Sequence, residues 1–315
     1  MDLQSIFESS FIAENNFIRL PGESRAINQQ QTNDVFSDKW EKVEKEDNVE
    51  ELEKFQKAWY LKLYGFTNEN DLKSFLENKE YIIDAGCGLG YKAAWFAELS
   101  PASTVIGIDF SEAANIAAKK YAQFKNLYFI QGDIANTGLE EKSIDYVSCD
   151  QVIMHTENPE ATFAHLSSLL KNGGQFACYV YSKKALPREL LDDHFRKATH
   201  SISSEDLWKM SRELTQLGKT LSELKITFNA PDIPLLGIKG GEYDIQRFIY
   251  WNFLKCFWKE DWGTALCDST NYDWYSPSNA KRYSREEFDK MGEDNRLTTI
   301  YKHSEEACHT ARFKK

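Results

Sequence analysis

Between residues 81 and 182, short apolar runs alternate with stretches of helical character. The apolar runs are YIIDA at 81–85, TVIGID at 104–109, NLYFIQ at 126–131, DYVSCD at 145–150 and GQFACYVY at 174–181. Helical patterns lie between them near 91–99, 112–123 and 159–171. This alternation favours an α/β fold in which a mostly parallel sheet carries helices on both faces.

The segment before this region, residues 1–80, is predicted to form a helical N-terminal arm. Leu52, Phe55, Trp59 and Leu63 are spaced so that they share one face of a helix. The other face is acidic, which is typical of a solvated surface. The sequence leaves three roles open for the arm: a lid over a binding site, packing beside the segment 183–290, or dimerisation. A homodimer is therefore one of the alternatives.

Residues 183–290 interrupt the strand pattern and are predicted to form a mainly helical insertion with a bend at 231–241. The insertion is rich in aromatic residues, among them Trp251, Trp258 and Trp274. Two further strands, at 296–303 and 307–314, are predicted to close the sheet as an edge hairpin. The predicted sheet domain therefore consists of residues 81–182 and 291–315.

Composition restricts the classes of function. The 315 residues carry a formal net charge of -11, with 42% hydrophobic and 28% charged residues, as in ordinary globular proteins. The acidic balance argues against a nucleic-acid partner. No apolar run approaches the roughly 20 residues of a membrane helix. The first residues, MDLQSIFESS, lack a basic region followed by an apolar core, so we do not expect them to be a secretory signal. We therefore expect a cytoplasmic protein without membrane insertion.

The six cysteines are widely spaced and form no CxxC pair. This arrangement indicates neither a zinc ribbon nor an iron–sulfur centre, so no metal site is predicted. Free, mostly buried thiols are the plain interpretation.

The strongest chemical pattern is Asp84-Ala-Gly86-Cys-Gly88-Leu-Gly90, directly after the first strand of the 81–182 region. Glycines at such a turn let a ligand approach the backbone closely. A dinucleotide fingerprint would need G-x-G-x-x-G, but Tyr91 stands where the third glycine should be. The pattern is instead an acid followed by G-x-G-x-G.

This loop resembles the first motif of the class I S-adenosylmethionine-dependent methyltransferases. The resemblance continues at Asp109-Phe110-Ser111 after the second strand, at Gln131-Gly132-Asp133-Ile134 after the third, and at DYVSCDQVIMH and LKNGGQF further on. It covers about 81–182 and 296–315. It implies a Rossmann-like, seven-stranded, mostly parallel sheet with an antiparallel last strand, and the insertion as a cap at the carboxyl ends of the strands.

The resemblance implies S-adenosylmethionine as cofactor and S-adenosylhomocysteine as product. Asp84 would meet the ammonium group, Asp109 the ribose, and Asp133 the adenine amine, with Phe110 and Ile134 against the adenine ring. The predicted cofactor-binding residues are Asp84, Gly86, Cys87, Gly88, Gly90, Asp109, Phe110, Asp133, Ile134, Asp150 and Gln151.

Methyl transfer is a direct displacement in which alignment matters most, and a base is needed only if the acceptor must lose a proton. His155, five residues after the fourth strand, is the candidate base, with a structural role as its alternative. The insertion is expected to recognise the acceptor. Its polar candidates, together with Arg282, are Lys239, Tyr243, Arg247, Asp273 and Tyr275.

A small-molecule acceptor is the favoured partner. The alternatives are a protein or RNA methyltransferase and a non-catalytic protein that binds adenosylmethionine. The acidic balance and the absence of N/D-P-P-Y and Pro-Cys motifs argue against nucleic acid.

Overall fold

The computed structural model of the chain describes residues 3–9, 11, 13–20, 26–43 and 49–315. The chain forms two compact units. Unit 1 contains residues 1–26, 53–182 and 281–315, and unit 2 contains residues 27–52 and 183–280.

The two units differ in their boundaries from the predicted domains. The arm predicted over residues 1–80 is divided between both units, and the segment predicted to run over 183–290 leaves unit 1 only between residues 183 and 280. The boundaries differ because strands far apart in the sequence pair with each other, which no local sequence pattern shows. Arg282 and Tyr283 form a short strand beside Tyr181 and Ser182, which returns the chain to unit 1 before residue 290.

Unit 1 is built on a ten-stranded sheet. Its strands are β1 (Ala13–Glu14), β2 (Phe17–Arg19), β3 (Tyr81–Ala85), β4 (Thr104–Asp109), β5 (Leu127–Gln131), β6 (Ile144–Cys149), β7 (Leu170–Ser182), β10 (Arg282–Tyr283), β11 (Thr298–Ser304) and β12 (Cys308–Lys314). Unit 2 holds a separate antiparallel pair, β8 (Thr227–Ala230) and β9 (Gly241–Asp244).

The strand order is β1-β2-β5-β4-β3-β6-β7-β12-β11, with β10 beside β7. Neighbours from β2 to β7 are parallel, whereas β12 runs antiparallel to both β7 and β11. The predicted seven-stranded Rossmann-like core, with its antiparallel last strand, is confirmed. The hairpin of β1 and β2 extends the sheet beyond that core, because β2 pairs with β5.

The helices complete the two units. In chain order they are α1 (Ile27–Val43), α2 (Val49–Tyr64), α3 (Glu69–Leu76), α4 (Tyr91–Leu99), α5 (Ala113–Lys120), α6 (Pro159–Ser168), α7 (Leu186–Arg196), α8 (Ser204–Glu223), α9 (Ile245–Asn252), α10 (Gly263–Tyr275) and α11 (Arg285–Asp294). None of the helices in the described ranges is long and apolar enough to cross a membrane.

Successive side chains along the strands of unit 1 point to opposite faces of the sheet, so each face has its own apolar core. Ile83 and Ile106 lie in one buried cluster, and their neighbours Ile82 and Val105 lie in the other. This period of two explains why the central strands consist almost entirely of apolar residues. The fully buried residues of α2, including Leu63 and Tyr64, join the second cluster.

Unit 2 packs its helices through aromatic rings. The rings of Trp208 and Tyr272 stack at 3.9 Å between centroids, and Asp38 of α1 accepts hydrogen bonds from both side chains. These contacts connect α1 with α8 and α10, so residues 27–52 belong with the segment 183–280. Residues 183–280 are mainly helical, apart from the β8–β9 pair, whose strands are connected by residues 231–240.

The point where the strand order reverses lies at β3, between β4 and β6. In open α/β sheets, ligands bind outside the carboxyl ends of the strands at this point. Asp84, near the end of β3, is therefore located where this fold binds its ligands.

Candidate active site

The glycine loop after β3 is held against the end of β4. The backbone N–H groups of Gly86 and Cys87 both donate to the carbonyl oxygen of Ile108, at 2.7 and 3.0 Å. Gly86 and Gly90 both have φ of +79°, a conformation that side chains with a Cβ rarely adopt. A Cβ at Gly86 would lie 2.3 Å from the side chain of Val152. Glycine is therefore required there by both conformation and space.

Asp84 is fully buried on β3. Its Oδ1 forms an ion pair with Nζ of Lys92 at 3.1 Å, and neither of its two oxygens has a hydrogen-bond partner among the described residues. Burial raises the pKa of Asp84 to about 6, against the opposing effect of Lys92. Oδ2 of Asp84 is therefore a buried acceptor to which a ligand can donate a hydrogen bond.

Lys92, on the first turn of α4, lies between two carboxylates. Its Nζ is 3.1 Å from Asp84 and 3.4 Å from Oδ2 of Asp150, and the residue is only 5% exposed. Burial by itself lowers the pKa of Lys92, but the two carboxylates raise it above its usual value. Lys92 therefore stays charged and neutralises part of the negative charge at the end of β3.

Asp150 and Gln151 follow β6 and contact helix α2. Tyr64 donates to Oδ1 of Asp150 at 2.8 Å. Gln151 has a φ of 65°, and its Nε2 donates to Asp150 at 3.2 Å and to Gln56 at 2.9 Å. Helix α2 therefore supplies part of the polar surroundings of Asp150, through Gln56 and Tyr64.

Asp109, at the end of β4, accepts hydrogen bonds from several backbone N–H groups. Its Oδ2 accepts from the N–H of Gly88 at 2.8 Å, and its Oδ1 accepts from the N–H and hydroxyl of Ser111 at 2.9 and 2.6 Å. Burial raises the pKa of Asp109, although these hydrogen bonds, with one from the N–H of Phe110, act in the other direction. Asp109 thus connects the glycine loop to the next strand.

Asp133 and Ile134 follow β5, the neighbour of β4. Asp133 is partly exposed and accepts from the N–H of Ala135 at 2.8 Å. Ile134 is 5% exposed and belongs to the apolar core beneath the sheet. The half-buried ring of Phe110 follows β4. These residues follow adjacent parallel strands, and their contacts with adenine stay a prediction.

His155 lies in a short 3₁₀ turn, Ile153–His155, after β6. It is 6% exposed, and its Nε2 is 3.3 Å from the hydroxyl of Tyr181 near the end of β7. The two rings meet edge to face, with centroids 5.4 Å apart. His155 is therefore held in a fixed orientation by Tyr181, and its role as a base stays a prediction.

The predicted acceptor residues of unit 2 lie in two groups. Tyr243 donates to the carbonyl of Lys239, and Arg247 donates to the carbonyl of Trp258. Asp273 and Tyr275 instead surround another residue, Lys255, through an ion pair at 3.8 Å and a hydrogen bond to its backbone N–H at 2.9 Å. The sixth candidate, Arg282, lies on β10 in unit 1.

Part of the chain matches a known protein family. Residues 76–226 match the sequence model of a family described as a methyltransferase domain. This part of the chain is a methyltransferase domain. The match contains the glycine loop, Asp109, Asp133, Asp150 and His155, and the resemblance to class I S-adenosylmethionine-dependent methyltransferases is confirmed.

Curated relatives match the same region. Sterol 24-C-methyltransferase of Saccharomyces cerevisiae is 30% identical over 138 residues, which are 42% of this chain and 36% of the relative. Trans-aconitate 2-methyltransferase of Escherichia coli O7:K1 is 28% identical over 136 residues, 43% of this chain and 48% of the relative. The chain thus spans less than half the length of these relatives.

Solved structures of methyltransferases are also similar. Magnesium protoporphyrin IX methyltransferase from Synechocystis, with bound S-adenosylhomocysteine, is similar at a TM-score of 0.48 and 14% identity, covering 91% of this chain and 99% of that one. An S-adenosylmethionine-dependent methyltransferase from Mesorhizobium loti is similar at a TM-score of 0.47 and 14% identity, covering 76% and 92%.

The residues of this methyltransferase domain fit S-adenosylmethionine, the cofactor of class I methyltransferases. The fit rests on the buried Oδ2 of Asp84, which lacks a hydrogen-bond partner among the described residues and suits an ammonium donor. It rests also on the glycine loop, because glycines at such a turn let a ligand approach the backbone closely. When bound, the cofactor supplies a methyl group on a positively charged sulfur.

Sequence reasoning did not identify Lys92, Gln56 or Tyr64. A sequence signal for Lys92 exists, because it is the one basic residue in YKAAWFAEL, a helix of otherwise mostly apolar residues. A helix that is apolar on all sides is buried, so a lysine within it needs a carboxylate partner. Gln56 and Tyr64 carry no such signal, since only the fold brings α2 to β6.

Proposed function

We propose that this protein is an S-adenosylmethionine-dependent methyltransferase that acts on a small-molecule acceptor by direct displacement. One observation carries the proposal: Oδ2 of Asp84 is buried and has no hydrogen-bond partner in the described part of the chain. Asp84 lies on β3, where the strand order reverses. Leaving such an acceptor unsatisfied costs about 1–3 kcal/mol. A ligand that donates to it is therefore favoured.

In this proposal the chain's own residues bind and orient the cofactor. Asp84 accepts from its ammonium group, Asp109 from its ribose and Asp133 from its adenine amine, while Phe110 and Ile134 contact the adenine ring. The glycine loop lets the methionine chain approach the backbone. Asp150 adds negative charge near the sulfonium, which favours binding of a cation in a buried site.

His155 is proposed as the group that takes a proton from the acceptor. Its contact with Tyr181 at 3.3 Å orients the imidazole and provides a second hydrogen-bonding group beside it. A positioned base typically contributes 10²–10⁴-fold to a rate. The remaining rate enhancement would come from alignment of the two reactants.

A small-molecule acceptor is supported by the named activities of relatives, which methylate a sterol and trans-aconitate. Unit 2 is the proposed acceptor-recognition element, since class I methyltransferase domains share the sheet and differ in what surrounds it. The acidic net charge of -11 favours this over RNA.

The first experiment is calorimetric titration of the full chain with S-adenosylmethionine, S-adenosylhomocysteine and NADH. We expect micromolar binding of the first two and none of the third. Asp84→Asn and Asp109→Asn should each weaken binding at least tenfold while the circular dichroism spectrum stays unchanged. The matched control is Asp145→Asn, which removes a carboxylate that binds the backbone N–H of Tyr81 at the opposite end of β3.

Wild-type affinity in both variants would contradict the site assignment, and binding of NADH alone would contradict the cofactor. Transfer is then tested by release of S-adenosylhomocysteine with panels of metabolites, proteins and RNA. Release with proteins or RNA but with no metabolite would contradict the small-molecule acceptor. Binding without release for any acceptor class would favour a non-catalytic binding protein.

A further inference from the structure

A second cluster of charged residues surrounds Trp274 in unit 2. Four cationic groups lie within 6 Å of the centre of its ring: Lys255 at 4.7 Å, Arg188 at 4.9 Å, Arg196 at 5.4 Å and Lys184 at 5.9 Å. Four on one ring make this the most concentrated positive charge around any described aromatic side chain.

The carboxylates of the cluster are already paired with other cations. Asp192 accepts from Arg188 at 3.1 Å, and Oδ2 of Asp273 binds Lys39 at 2.7 Å. Lys255 is left with Oδ1 of Asp273 at 3.8 Å, beyond hydrogen-bond distance. Within the described ranges, no side chain or backbone oxygen accepts a hydrogen bond from its Nζ.

Lys255 is only 5% exposed. A buried ammonium without hydrogen-bond partners is strongly disfavoured, and burial lowers the pKa of Lys255 to about 7. An anion bound beside it would supply the missing acceptor. The side chain of Asp273 is 21% exposed, so solvent reaches the cluster on that side.

The surroundings of the ammonium are aromatic. Trp274 and Tyr275 of α10 and Tyr250 of α9 are at most 9% exposed. Trp274 and Tyr250 lie against cationic side chains, and the hydroxyl of Tyr275 accepts a hydrogen bond from the backbone N–H of Lys255. Aromatic walls around a charge that has no hydrogen-bond partner are typical of sites that bind organic molecules carrying one charged group.

We propose that unit 2 contains a binding site for a small organic acid, whose oxyanion pairs with the ammonium of Lys255 beside the ring of Trp274. That this acid is the methyl acceptor rests on the proposed function, whereas the binding site itself does not.

The test is a binding measurement on the full chain without cofactor. Calorimetry with benzoate, phenyl phosphate and benzamide compares two oxyanions with a neutral aromatic of similar size. We expect benzoate or phenyl phosphate to bind at least tenfold more tightly than benzamide, and the stronger of the two to identify the oxyanion as carboxylate or phosphate. Equal or absent binding of all three would overturn the proposal.

The pH dependence of benzoate binding tests the role of Lys255. Benzoate stays ionised from pH 6 to 8, whereas Lys255 loses its proton through about pH 7, so the affinity should fall several-fold over this range. The charged and titratable groups that face Lys255 are Asp273 and Tyr275 of α10, Arg188 and Asp192 of α7, and Lys39 of α1. Affinity that is constant from pH 6 to 8 would overturn the assignment to Lys255.

Two variants separate binding from folding. Lys255→Met should lose benzoate binding at least tenfold while its Tm stays equal or rises, because it removes a buried charge. Lys255→Arg should retain binding but lose its pH dependence. The control is Lys219→Met. The side chain of Lys219 is 40% exposed, forms an ion pair with Glu223 and lies 5.4 Å from the centre of the Trp258 ring. Wild-type benzoate affinity in Lys255→Met would overturn the proposal.

The outcomes also separate this inference from the proposed function. If S-adenosylmethionine binds and no oxyanion does, the anion site is wrong and the cofactor site stands. If benzoate binds through Lys255 and S-adenosylmethionine does not, the cofactor site is wrong and the anion site stands.

Discussion

Nζ of Lys92 lies 3.1 Å from Oδ1 of Asp84, and both side chains are almost completely buried. The other oxygen of Asp84, Oδ2, is buried and has no hydrogen-bond partner among the described residues. Lys92 therefore offsets part of the cost of burying the Asp84 carboxylate, and Oδ2 of that carboxylate can still accept a hydrogen bond. We therefore expect both the stability of unit 1 and the proposed binding of a cationic ligand to depend on this pair.

Lys92→Met should be strongly destabilising, because it leaves the buried carboxylates of Asp84 and Asp150 without their shared cation. Breaking a buried pair in this way typically costs about 3–5 kcal/mol. We expect a loss of this size in urea unfolding at pH 8 and a smaller loss at pH 5, where Asp84 takes up a proton.

The control for that experiment is Lys73→Met, which removes one partner of an exposed pair with Glu77 at 3.7 Å. It should change the free energy of unfolding by less than about 0.5 kcal/mol. Equal effects of the two substitutions would contradict a special role of Lys92.

The affinity for S-adenosylmethionine should rise as pH rises through about 6. In the free protein the pKa of Asp84 is raised to about 6, so below that pH the carboxyl is protonated and cannot pair with an ammonium. Binding near pH 6 should therefore release a proton, which calorimetry in two buffers of different ionisation enthalpy measures.

The same linkage predicts the stability of the free protein. Since the folded pKa of Asp84 lies above its value of 3.8 in the unfolded chain, this group's contribution to stability is largest below pH 4 and is lost as pH rises to about 6. Asp84→Asn should abolish both this dependence and the proton release. Persistence of either in the variant would assign it to another group.

Gly86→Ala should destabilise unit 1 and distort the loop. Its Cβ would lie 2.3 Å from both γ-carbons of Val152, and φ would stay at +79°. The left-handed conformation alone costs about 1–2 kcal/mol. In thermal unfolding, Val152→Ala should restore part of the stability lost in Gly86→Ala, but not the conformational part. Complete restoration would mean that only the clash matters.

His155→Ala should lower kcat about 100-fold with the true acceptor while the Kd for S-adenosylmethionine stays within twofold, as expected for a base that acts on the acceptor. Tyr181→Phe, which removes the hydroxyl 3.3 Å from His155, should have a smaller effect on kcat. If turnover is unchanged in His155→Ala, the residue only supports the turn after β6.

The central strands could be predicted from the sequence because their pattern is local. Apolar runs predicted at 81–85 and 104–109 coincide with β3 and β4. The grouping of α1 with the 183–280 segment could not be predicted, since it depends on Asp38 meeting Trp208 and Tyr272 far along the chain.

The candidate site shows the same limit. The acids at the ends of strands follow from position within the repeated pattern, so Asp84 and Asp109 could be named in advance. The partners of those acids come from other elements. Tyr64 of α2 reaches Asp150 only because the fold packs that helix against the sheet.

The placement of β12 between β7 and β11 has a consequence for synthesis on the ribosome. β7, the longest strand at 13 residues, leaves the ribosome well before β12, since the segment 183–280 must be translated first. During this interval one edge of β7 offers its backbone groups to any other strand, which is a recognised hazard of aggregation. Chains that end before residue 308 would keep this edge open permanently, and should accumulate as aggregates.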